Sequence, residues 1–294
     1  MEVTVRAPAK INLTLDAFGR RDDGDHLIES VMQAVDLFDI VTVRRTREPG
    51  IRLETDDERV PDDESNTAWR AAQAFFEIAG LPPEGVEIRI RKRIPLQAGL
   101  AGSADAAGVL TALNLLTDSR LEGSILAEAG ERVGADVPFC LTGGAALCTG
   151  TGAIVSPLPS MPDCWLAVAK PACGVSTAEA YRRLDSTELR RRPHTSVVAD
   201  AVCAGDLETI GRELCNVFEE AIPLPETDAI RRIMREHRTL GCLMSGSGSA
   251  VYGLFQERET ARRCAEALLT STFRLEGKTV HHTLQVTNPG PEEL

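Results

Sequence analysis

The sequence predicts an α+β protein in two parts that meet near residue 155. Alternation of apolar and polar residues, which is typical of strands, dominates residues 2–44, and helical spacing follows it. From residue 157 the pattern restarts with a strand and then several helices. Strands and helices in this order, without a regular βαβ repeat, favour an α+β fold. We therefore predict one domain over residues 1–155 and a second over residues 156–294.

The first part begins with strands. Residues 2–7 and 10–17 alternate as half-buried strands do, and residues 31–38 and 40–44 continue the pattern. Between these pairs, residues 19–24 read Gly-Arg-Arg-Asp-Asp-Gly, a composition typical of a polar turn. The spacing therefore predicts two strands on either side of this turn.

A helix and a further strand follow. Residues 66–79 have apolar residues at helical spacing, and Asp62, Asp63 or Ser65 is a suitable cap ahead of them. Residues 86–90 alternate again, so we expect a strand that leads directly into the next segment.

That next segment is a small-residue loop that runs into a helix. Residues 95–107 read Pro-Leu-Gln-Ala-Gly-Leu-Ala-Gly-Ser-Ala-Asp-Ala-Ala, and helical spacing covers residues 103–116. The first turn of a helix has free N–H groups and the positive end of the macrodipole, and glycines let an anion approach the backbone. The spacing matches neither the P-loop nor Gly-x-Gly-x-x-Gly. By itself the pattern leaves open a phosphate site or a plain connection.

Two charged residues stand out by their position. Residues 125–133 predict a helix that ends at Gly134, and Pro138 bars the residue before it from helical geometry, so Asp136 lies on a constrained loop. Lysine is scarce and arginine is common in this chain, and Lys10 stands among apolar residues. Both are candidates for a functional site.

The second part contains helices and a glycine-serine loop. We expect a strand at residues 165–169 and a loop, Ser-Gly-Ser-Gly-Ser, at residues 245–249 before a strand at 250–255. Helices are predicted near 177–184, 195–203, 206–221, 226–237 and 257–270. A last strand is predicted near 279–286, and residues 288–294 are expected to fray.

Composition limits the function classes. A net charge of −12 argues against a nucleic-acid surface, and no apolar run is long enough to span a membrane. The strand-like N-terminus does not resemble a signal peptide, so we expect a cytoplasmic protein. Eight cysteines are scattered without a Cys-x-x-Cys pair, which favours reduced thiols over disulfides or a zinc site. The absence of an obvious heptad leaves monomer and weak homodimer open.

Three separated segments together resemble the motifs of the GHMP small-molecule kinases. They are Ala-Pro-Ala-Lys-Ile-Asn-Leu-Thr-Leu at residues 7–15, the glycine loop at 95–107, and Met-Ser-Gly-Ser-Gly-Ser-Ala at 244–250. The resemblance extends from residue 3 to about 286. Within the family, further segments are similar to the branch that phosphorylates an alcohol carried on a cytidine diphosphate. These segments are residues 19–26, 33–39, 134–139, 143–150 and 175–181.

The resemblance implies a two-domain GHMP kinase fold, with an S5-like N-terminal nucleotide-binding domain and a ferredoxin-like C-terminal domain on the substrate side. It implies ATP as the phosphate donor, with Mg²⁺ carried by the nucleotide, and a small alcohol as the acceptor. Asp136 would be the base that accepts the hydroxyl proton, and Lys10 the cation that stabilises developing charge and keeps that carboxylate ionised. From the residues alone, a structural ion pair or two solvated charges is the alternative.

The resemblance also implies roles for other residues. The residues expected to contact the nucleotide are Asn66, Thr67, Pro95, Ala98, Gly99, Leu100, Ala101, Gly102 and Ser103. The acceptor pocket falls on Asn12, Asp25, His26 and Thr177, with Gly246 and Gly248 supporting the active-site loop. For Asn66, Ser103 and Thr177, helix capping is the alternative, and His26 is otherwise an exposed loop residue.

The chain departs from the family pattern in two places. Asp25 replaces an aromatic residue that stacks on cytosine, and Phe38 or Tyr181 is a candidate to supply the missing ring. The glycine loop is one residue shorter than usual before Ser103, which shifts its donors by up to about 3.5 Å. These departures keep two alternatives open, a kinase for a smaller alcohol and a weakly active relative that binds nucleotide or metabolite.

Overall fold

The computed structural model describes residues 1–21, 24–82, 85–268, 273–278 and 285–287. The strands in this part of the chain are β1 (Glu2–Asn12), β2 (Thr14–Arg20), β3 (His26–Arg45), β4 (Ile51–Thr55), β5 (Val86–Arg91), β6 (Ala145–Thr149), β7 (Ile154–Leu158), β8 (Trp165–Lys170), β9 (Cys215–Asn216), β10 (Gly241–Met244), β11 (Val251–Phe255), β12 (Phe273–Lys278) and β13 (Gln285–Thr287). The helices are α1 (Thr67–Ala79), α2 (Ala104–Leu116), α3 (Gly123–Glu131), α4 (Val137–Thr142), α5 (Thr177–Asp185), α6 (Thr195–Ala204), α7 (Leu207–Glu213), α8 (Phe218–Ala221), α9 (Pro225–Glu236) and α10 (Arg258–Ala267).

The first sheet is organised around the long strand β3, which pairs antiparallel with β1, β2, β5 and β6. The two strands predicted at 31–38 and 40–44 are therefore one. The register with β1 shifts at Pro8 and Ala9, which pair with Phe38 and Val35. This bulge absorbs the break in the sequence alternation without ending the strand.

The second sheet has the strand order β10-β11-β8-β12, with all neighbours antiparallel. In chain order this is the arrangement of a ferredoxin-like βαββαβ unit, with α9 and α10 packed against the strands. The α+β prediction is confirmed. Residue 155 lies within β7, which pairs with β6 in the first sheet. The boundary between the two domains at residue 155 stays a prediction.

The predicted helix at 206–221 is wrong. It is divided into α7 and α8 by β9, whose residues pair in parallel with β2. The backbone N–H groups of Cys215 and Val217 donate to the carbonyls of Leu13 and Leu15, at 3.4 and 3.0 Å. Helical spacing on both sides hid this break, because only the pairing with a distant strand produces it.

Several short strands were not predicted, and the structure describes only part of the last predicted strand. The unpredicted strands are β4, β6, β7, β10 and β12. β13 overlaps the end of the strand predicted at 279–286. Residues 279–284 and 288–294 and the last two residues of the helix predicted at 257–270 lie outside the described residues. All eight cysteines are free thiols, as expected.

Helix α2 places its N-terminus at the middle of the molecule. It packs against β1, β3 and α1, and it is buried on almost every side. Gly108 allows this packing, because a Cβ there would lie 3.0 Å from Cγ2 of Val41. The helix therefore has little freedom to move relative to the sheet that carries Lys10.

Helix α1 is capped by Asn66, and not by the Asp62, Asp63 or Ser65 that the sequence suggested. The Asn66 Oδ1 accepts a hydrogen bond from the Ala68 N–H at 2.8 Å, and its Nδ2 donates to the Pro61 carbonyl at 2.7 Å. The helix ends at Gly80, whose φ of 63° suits a left-handed C-cap.

Loss of this cap should lower stability. We expect Asn66→Ala to reduce the free energy of unfolding by about 1 kcal/mol, because one N–H of the first turn loses its acceptor. Asn66→Asp keeps an acceptor and should stay close to the wild type. Urea unfolding of the three proteins measures this, and equal losses in both variants would contradict the capping role.

Candidate active site

A cavity of about 980 Å³ lies where β1, the glycine loop, the segment before α4, the start of α5 and the third motif meet. Most residues that the sequence pointed to line it. They are Lys10, Asn12, Asp25, His26, Pro95, Ala98, Gly99, Leu100, Ala101, Gly102, Ser103, Asp136, Thr177, Gly246 and Gly248. Asn66 and Thr67 are not among its lining residues, and the Asn66 side chain is used by the cap of α1.

Lys10 is a buried cation with a fixed position. Its side chain is 4% exposed, and its Nζ donates to Asn12 Oδ1 at 2.6 Å and to the Gly99 carbonyl at 3.1 Å. The same Nζ lies 3.7 Å from Asp136 Oδ2. Two oxygen acceptors and a nearby carboxylate offset the cost of burying the charge and aim it into the cavity.

Asn12 holds Lys10 rather than standing free in the pocket. Its Oδ1 also accepts from the Gly246 N–H at 2.9 Å, and its Nδ2 donates to Ser30 Oγ at 2.8 Å. The Tyr252 hydroxyl donates to the Asn12 carbonyl at 2.7 Å. Because every polar atom of its side chain is in use, Asn12 joins β1 to the third motif.

The third motif is locked onto the glycine loop. Ser245 Oγ donates to the Gly99 carbonyl at 2.8 Å, and the Ala250 N–H donates to the Ala98 carbonyl at 3.1 Å. A Cβ on Gly99 would lie 1.9 Å from the Ser245 carbonyl oxygen, so only glycine permits this approach. Asn216, which the sequence did not indicate, secures the other side by donating to the carbonyls of Met244 and Gly246.

The glycine loop presents donors to the cavity. Within the described residues, the N–H groups of Gly102 and Ser103 have no hydrogen-bond acceptor, and a Cβ on Gly102 would meet no atom within 4 Å. Ser103 precedes α2 but makes no side-chain cap, so its hydroxyl is available as well. Free donors at a helix N-terminus, with open space before them, are suited to hold an anion.

The short loop turns at residues other than glycine. Gln97 and Ala101 have φ values of 52° and 61°, in the left-handed region that glycine usually occupies. Each such residue costs about 1 to 2 kcal/mol. The shortened loop therefore stores strain next to its free donors.

Asp136 lines the cavity, with its carboxylate 3.7 Å from Lys10 Nζ. It precedes α4 without forming a side-chain cap, and its side chain is 32% exposed. Burial raises the pKa of the Cys140 and Cys148 thiols, with Asp136 as the second cause. Both thiols therefore stay protonated.

A buried charge cluster below the loop was missed by the sequence reasoning. The Lys92 Nζ lies 2.5 Å from Asp39 Oδ2 and 2.6 Å from Asp105 Oδ2. Burial and the neighbouring Asp39 raise the pKa of Asp105 to about 8, whereas Lys92 opposes that rise. The sequence does indicate that Asp39 is buried, because alternation in β3 places it on the inward face between Leu37 and Val41.

The far end of the cavity is aromatic. The His26 and Tyr181 rings stack with centroids 4.4 Å apart, and Tyr181 meets Phe218 edge-on at 5.0 Å. Burial raises the pKa of the Tyr181 phenol to about 12, so the ring stays neutral. The His26 Nε2 lies 2.7 Å from Asp185 Oδ1. Of the two candidate rings, Tyr181 lines the cavity, whereas Phe38 lies under the Arg6 guanidinium and is not a lining residue.

Thr177 lies at the rim of this end. It is the first residue of α5, where Ser176 holds the cap position, so capping does not account for Thr177. Its hydroxyl lies 3.3 Å from Ser247 Oγ, which connects the rim to the third motif.

No metal-binding cluster occurs among the residues that the structure describes, where no group of three or more His, Cys, Asp or Glu side chains is placed to hold an ion. Over the same residues, none of the helices is both long and apolar enough to pass through a membrane.

Comparison with known proteins identifies the family. A model described as the GHMP kinases N terminal domain matches residues 66–144, and one described as GHMP kinases C terminal matches residues 198–275. A 4-diphosphocytidyl-2-C-methyl-D-erythritol kinase from Alkaliphilus metalliredigens is 43% identical over 270 residues, which are 91% of this chain and 92% of the relative. The chain belongs to the GHMP kinase family.

Other relatives and solved structures support the same family and fold. A protein of the same name from Caldicellulosiruptor saccharolyticus is 44% identical over 90% of this chain and 92% of its own length. A solved 4-(cytidine 5'-diphospho)-2C-methyl-D-erythritol kinase superposes with a TM-score of 0.77 at 34% identity, covering 95% of this chain and 99% of that one. A homoserine kinase from Cytophaga hutchinsonii has the same TM-score at 23% identity, covering 97% of both chains, which shows the shared fold. The two-domain kinase fold is confirmed.

The raised pKa of Asp105 makes stability depend on pH in a defined direction. A carboxyl whose pKa is higher in the folded state stabilises the fold while it is protonated, so this contribution falls as pH rises towards about 8. Asp105→Asn cannot ionise. We therefore expect the variant to gain stability relative to the wild type between pH 5 and 8. Urea unfolding across this range measures the difference, with the exposed Asp118→Asn as control, and a constant difference for Asp105→Asn would contradict the assignment.

Proposed function

We propose that this GHMP kinase transfers the γ-phosphate of ATP to the 2-hydroxyl of 4-diphosphocytidyl-2-C-methyl-D-erythritol, a step of non-mevalonate isoprenoid precursor biosynthesis. The similarity to kinases of that name over about nine-tenths of the chain supports the substrate. The observation that carries the chemistry is the meeting of Lys10 and Asp136 at the open end of the glycine loop. A nucleotide-binding module has no need of a carboxylate there.

The glycine loop fits the donor. The free N–H groups of Gly102 and Ser103, with open space before Gly102, suit the phosphates of ATP. We assign the contacts of Pro95, Ala98, Gly99, Leu100 and Ala101 to the same phosphates and the ribose side of the cavity. Contacts of Asn66 and Thr67 with the nucleotide remain part of the proposal, although they fall outside the cavity lining.

Mg²⁺ enters this scheme with the nucleotide. The described residues offer no cluster of acidic side chains for an ion of their own, which fits an ion held by phosphate oxygens and water. When bound, it neutralises charge on the phosphates. The protein's own contribution to charge neutralisation is Lys10.

The transfer follows from the positions of two side chains. Asp136 accepts the proton of the acceptor hydroxyl, and that oxygen forms a bond to the γ-phosphorus as the bond to the ADP oxygen breaks. Lys10, fixed by Asn12 and Gly99, stabilises the negative charge that develops on the transferred group. Because Lys10 is already in place, no side chain has to reorganise during the step.

The aromatic end of the cavity supports recognition of the cytidine. Tyr181 supplies a ring where Asp25 replaces the family's aromatic residue, and His26 lies against it. We assign Asn12 to the acceptor side through its hold on Lys10, and Asp25, His26 and Thr177 to the cytidine side. The charged Asp25 is the reason to keep a second candidate, a GHMP kinase for a smaller alcohol.

Turnover on defined alcohols tests the proposed function. Release of ADP from ATP should depend on 4-diphosphocytidyl-2-C-methyl-D-erythritol and not on mevalonate, homoserine or galactose. A preference for one of the smaller alcohols would favour the second candidate. Nucleotide binding without turnover on any of them would overturn both kinase assignments.

Replacing the base should abolish most of the activity. We expect Asp136→Asn to lower kcat by about 10² to 10⁴-fold, because the hydroxyl loses its proton acceptor. The KM for ATP should stay close to the wild-type value. Full turnover by this variant in the ADP-release assay would show that Asp136 is not the base.

Replacing the cavity ring should weaken substrate binding. We expect Tyr181→Ala to raise the KM for the cytidine alcohol about ten- to a hundredfold, because base stacking contributes about 1 to 3 kcal/mol. Tyr181→Phe keeps the ring and should retain most of the affinity. Steady-state kinetics at saturating ATP distinguishes them, and equal KM values for Tyr181→Ala and wild type would contradict the stacking role.

A further inference from the structure

We propose that Lys92 is a positioning residue that ties the two ends of the glycine loop together and so sets the affinity for nucleotide. The inference rests on the proposed function in one respect, that the loop binds the phosphates of ATP. Lys92 itself does not line the cavity, so it acts through the loop and not by contact with ligand.

The start of the loop is held by Asp39. Its Oδ1 accepts hydrogen bonds from the N–H groups of Arg93 and Ile94, at 2.5 and 2.8 Å. These are the first residues after β5 and Lys92. Asp39 lies on β3 and is fully buried, so its carboxylate is a fixed reference point within the first sheet.

The end of the loop is held by Asp105. This residue lies in the first turn of α2, directly behind Gly102 and Ser103, whose N–H groups face the cavity. The Lys92 Nζ donates to both Asp39 and Asp105, at 2.5 and 2.6 Å. A single ammonium group therefore joins the strand before the loop to the helix after it.

The ion pairs of Lys92 with Asp39 and Asp105 are buried, which limits the movement of all three side chains. The side chains of Lys92, Asp39 and Asp105 are only 5%, 0% and 6% exposed. Buried ion pairs often stabilise a protein no more than apolar residues of the same volume would. A charged cluster at this point is therefore better explained by the geometry it imposes than by the stability it adds.

The contacts of Lys92 matter more because the glycine loop is short. Gln97 and Ala101 already occupy left-handed conformations, so few other backbone conformations are open to the loop and its N–H donors. A misplacement of about 1 Å can lower a reaction rate up to about a hundredfold. Hydrogen bonds from the N–H groups to a phosphate likewise weaken as their distance and angle depart from the optimum. Holding both ends fixes where the N–H groups of Gly102 and Ser103 point.

Charge acts together with this positioning. Lys92 places a buried ammonium group 2.5 Å from Asp39 Oδ2 and 2.6 Å from Asp105 Oδ2. This positive charge lies behind the N-terminus of α2, where the helix dipole also favours a phosphate. The groups that face Asp105 in this cluster are Lys92, which directly follows β5, Asp39 from β3 and, at longer range, Cys140 from α4.

The test is nucleotide binding by Lys92→Met, measured by titration with a fluorescent ATP analogue and by steady-state kinetics on both substrates. We expect the Kd for the analogue and the KM for ATP to rise about ten- to a hundredfold. The KM for the alcohol should stay within about twofold, because the cavity's other end is untouched. Arg89→Gln, on the strand β5 that ends just before Lys92, has a 54% exposed side chain and is the matched control, which should bind like the wild type.

A second variant separates positioning from stability. Lys92→Met leaves the buried carboxyl groups of Asp39 and Asp105 without their shared hydrogen-bond donor, so it is expected to be less stable. The double variant Lys92→Met with Asp105→Leu removes one of these polar groups and fills the space, and it should recover stability yet still bind nucleotide weakly. Wild-type nucleotide affinity in the double variant, or an equal rise of both KM values in a folded Lys92→Met, would overturn the proposal.

The binding arm separates this inference from the proposed function. Titration with the ATP analogue needs no alcohol, so it measures nucleotide binding by the glycine loop even if the acceptor has been assigned wrongly. Turnover on a different alcohol would refute the proposed substrate and leave the role of Lys92 intact.

Discussion

The site depends on the carbonyl oxygen of Gly99. It accepts hydrogen bonds from Lys10 Nζ at 3.1 Å and Ser245 Oγ at 2.8 Å, so one backbone oxygen joins three segments far apart in the chain. The approach is possible only because Gly99 lacks a Cβ, which would otherwise lie 1.9 Å from the Ser245 carbonyl. Asn12 closes the arrangement by accepting from both Lys10 and the Gly246 N–H. The position of the Lys10 ammonium group is therefore decided by loop packing as much as by the strand that carries it.

The rest of the molecule supplies a rigid frame for this contact. Helix α2 is packed against β1 and β3 without room for a side chain at Gly108, and β9 interrupts the helical region so that Asn216 can reach the third motif. Local conformations that are unfavourable in isolation, at Gln97 and Ala101, persist because these surroundings hold them. The packed surroundings therefore hold the short loop, with its unfavourable backbone conformations, in one arrangement.

The sequence predicts the α+β class, most long helices, and the segments that build the site, because those depend on local periodicity and on distributed motifs. It does not predict β9, since its conformation comes from pairing with β2. It leaves the cap of α1 open among Asp62, Asp63, Ser65 and Asn66, because adjacent polar residues are all chemically suitable and only geometry distinguishes Asn66. It also misses Lys92 as the partner of Asp39, although alternation indicates that Asp39 points inward; identifying the partner requires the register of β3 with β5.

The central claim is that Lys10 and Asp136 direct a phosphate from ATP onto one hydroxyl of the acceptor. Phosphorus NMR of the reaction products tests it most directly. The 2-carbon of the methylerythritol unit bears a methyl group and no hydrogen, so the account predicts ADP and one new phosphomonoester signal without coupling to a carbinol proton. A new signal split by such protons would place the phosphate on another hydroxyl, and inorganic phosphate as the sole new product would contradict transfer to the alcohol.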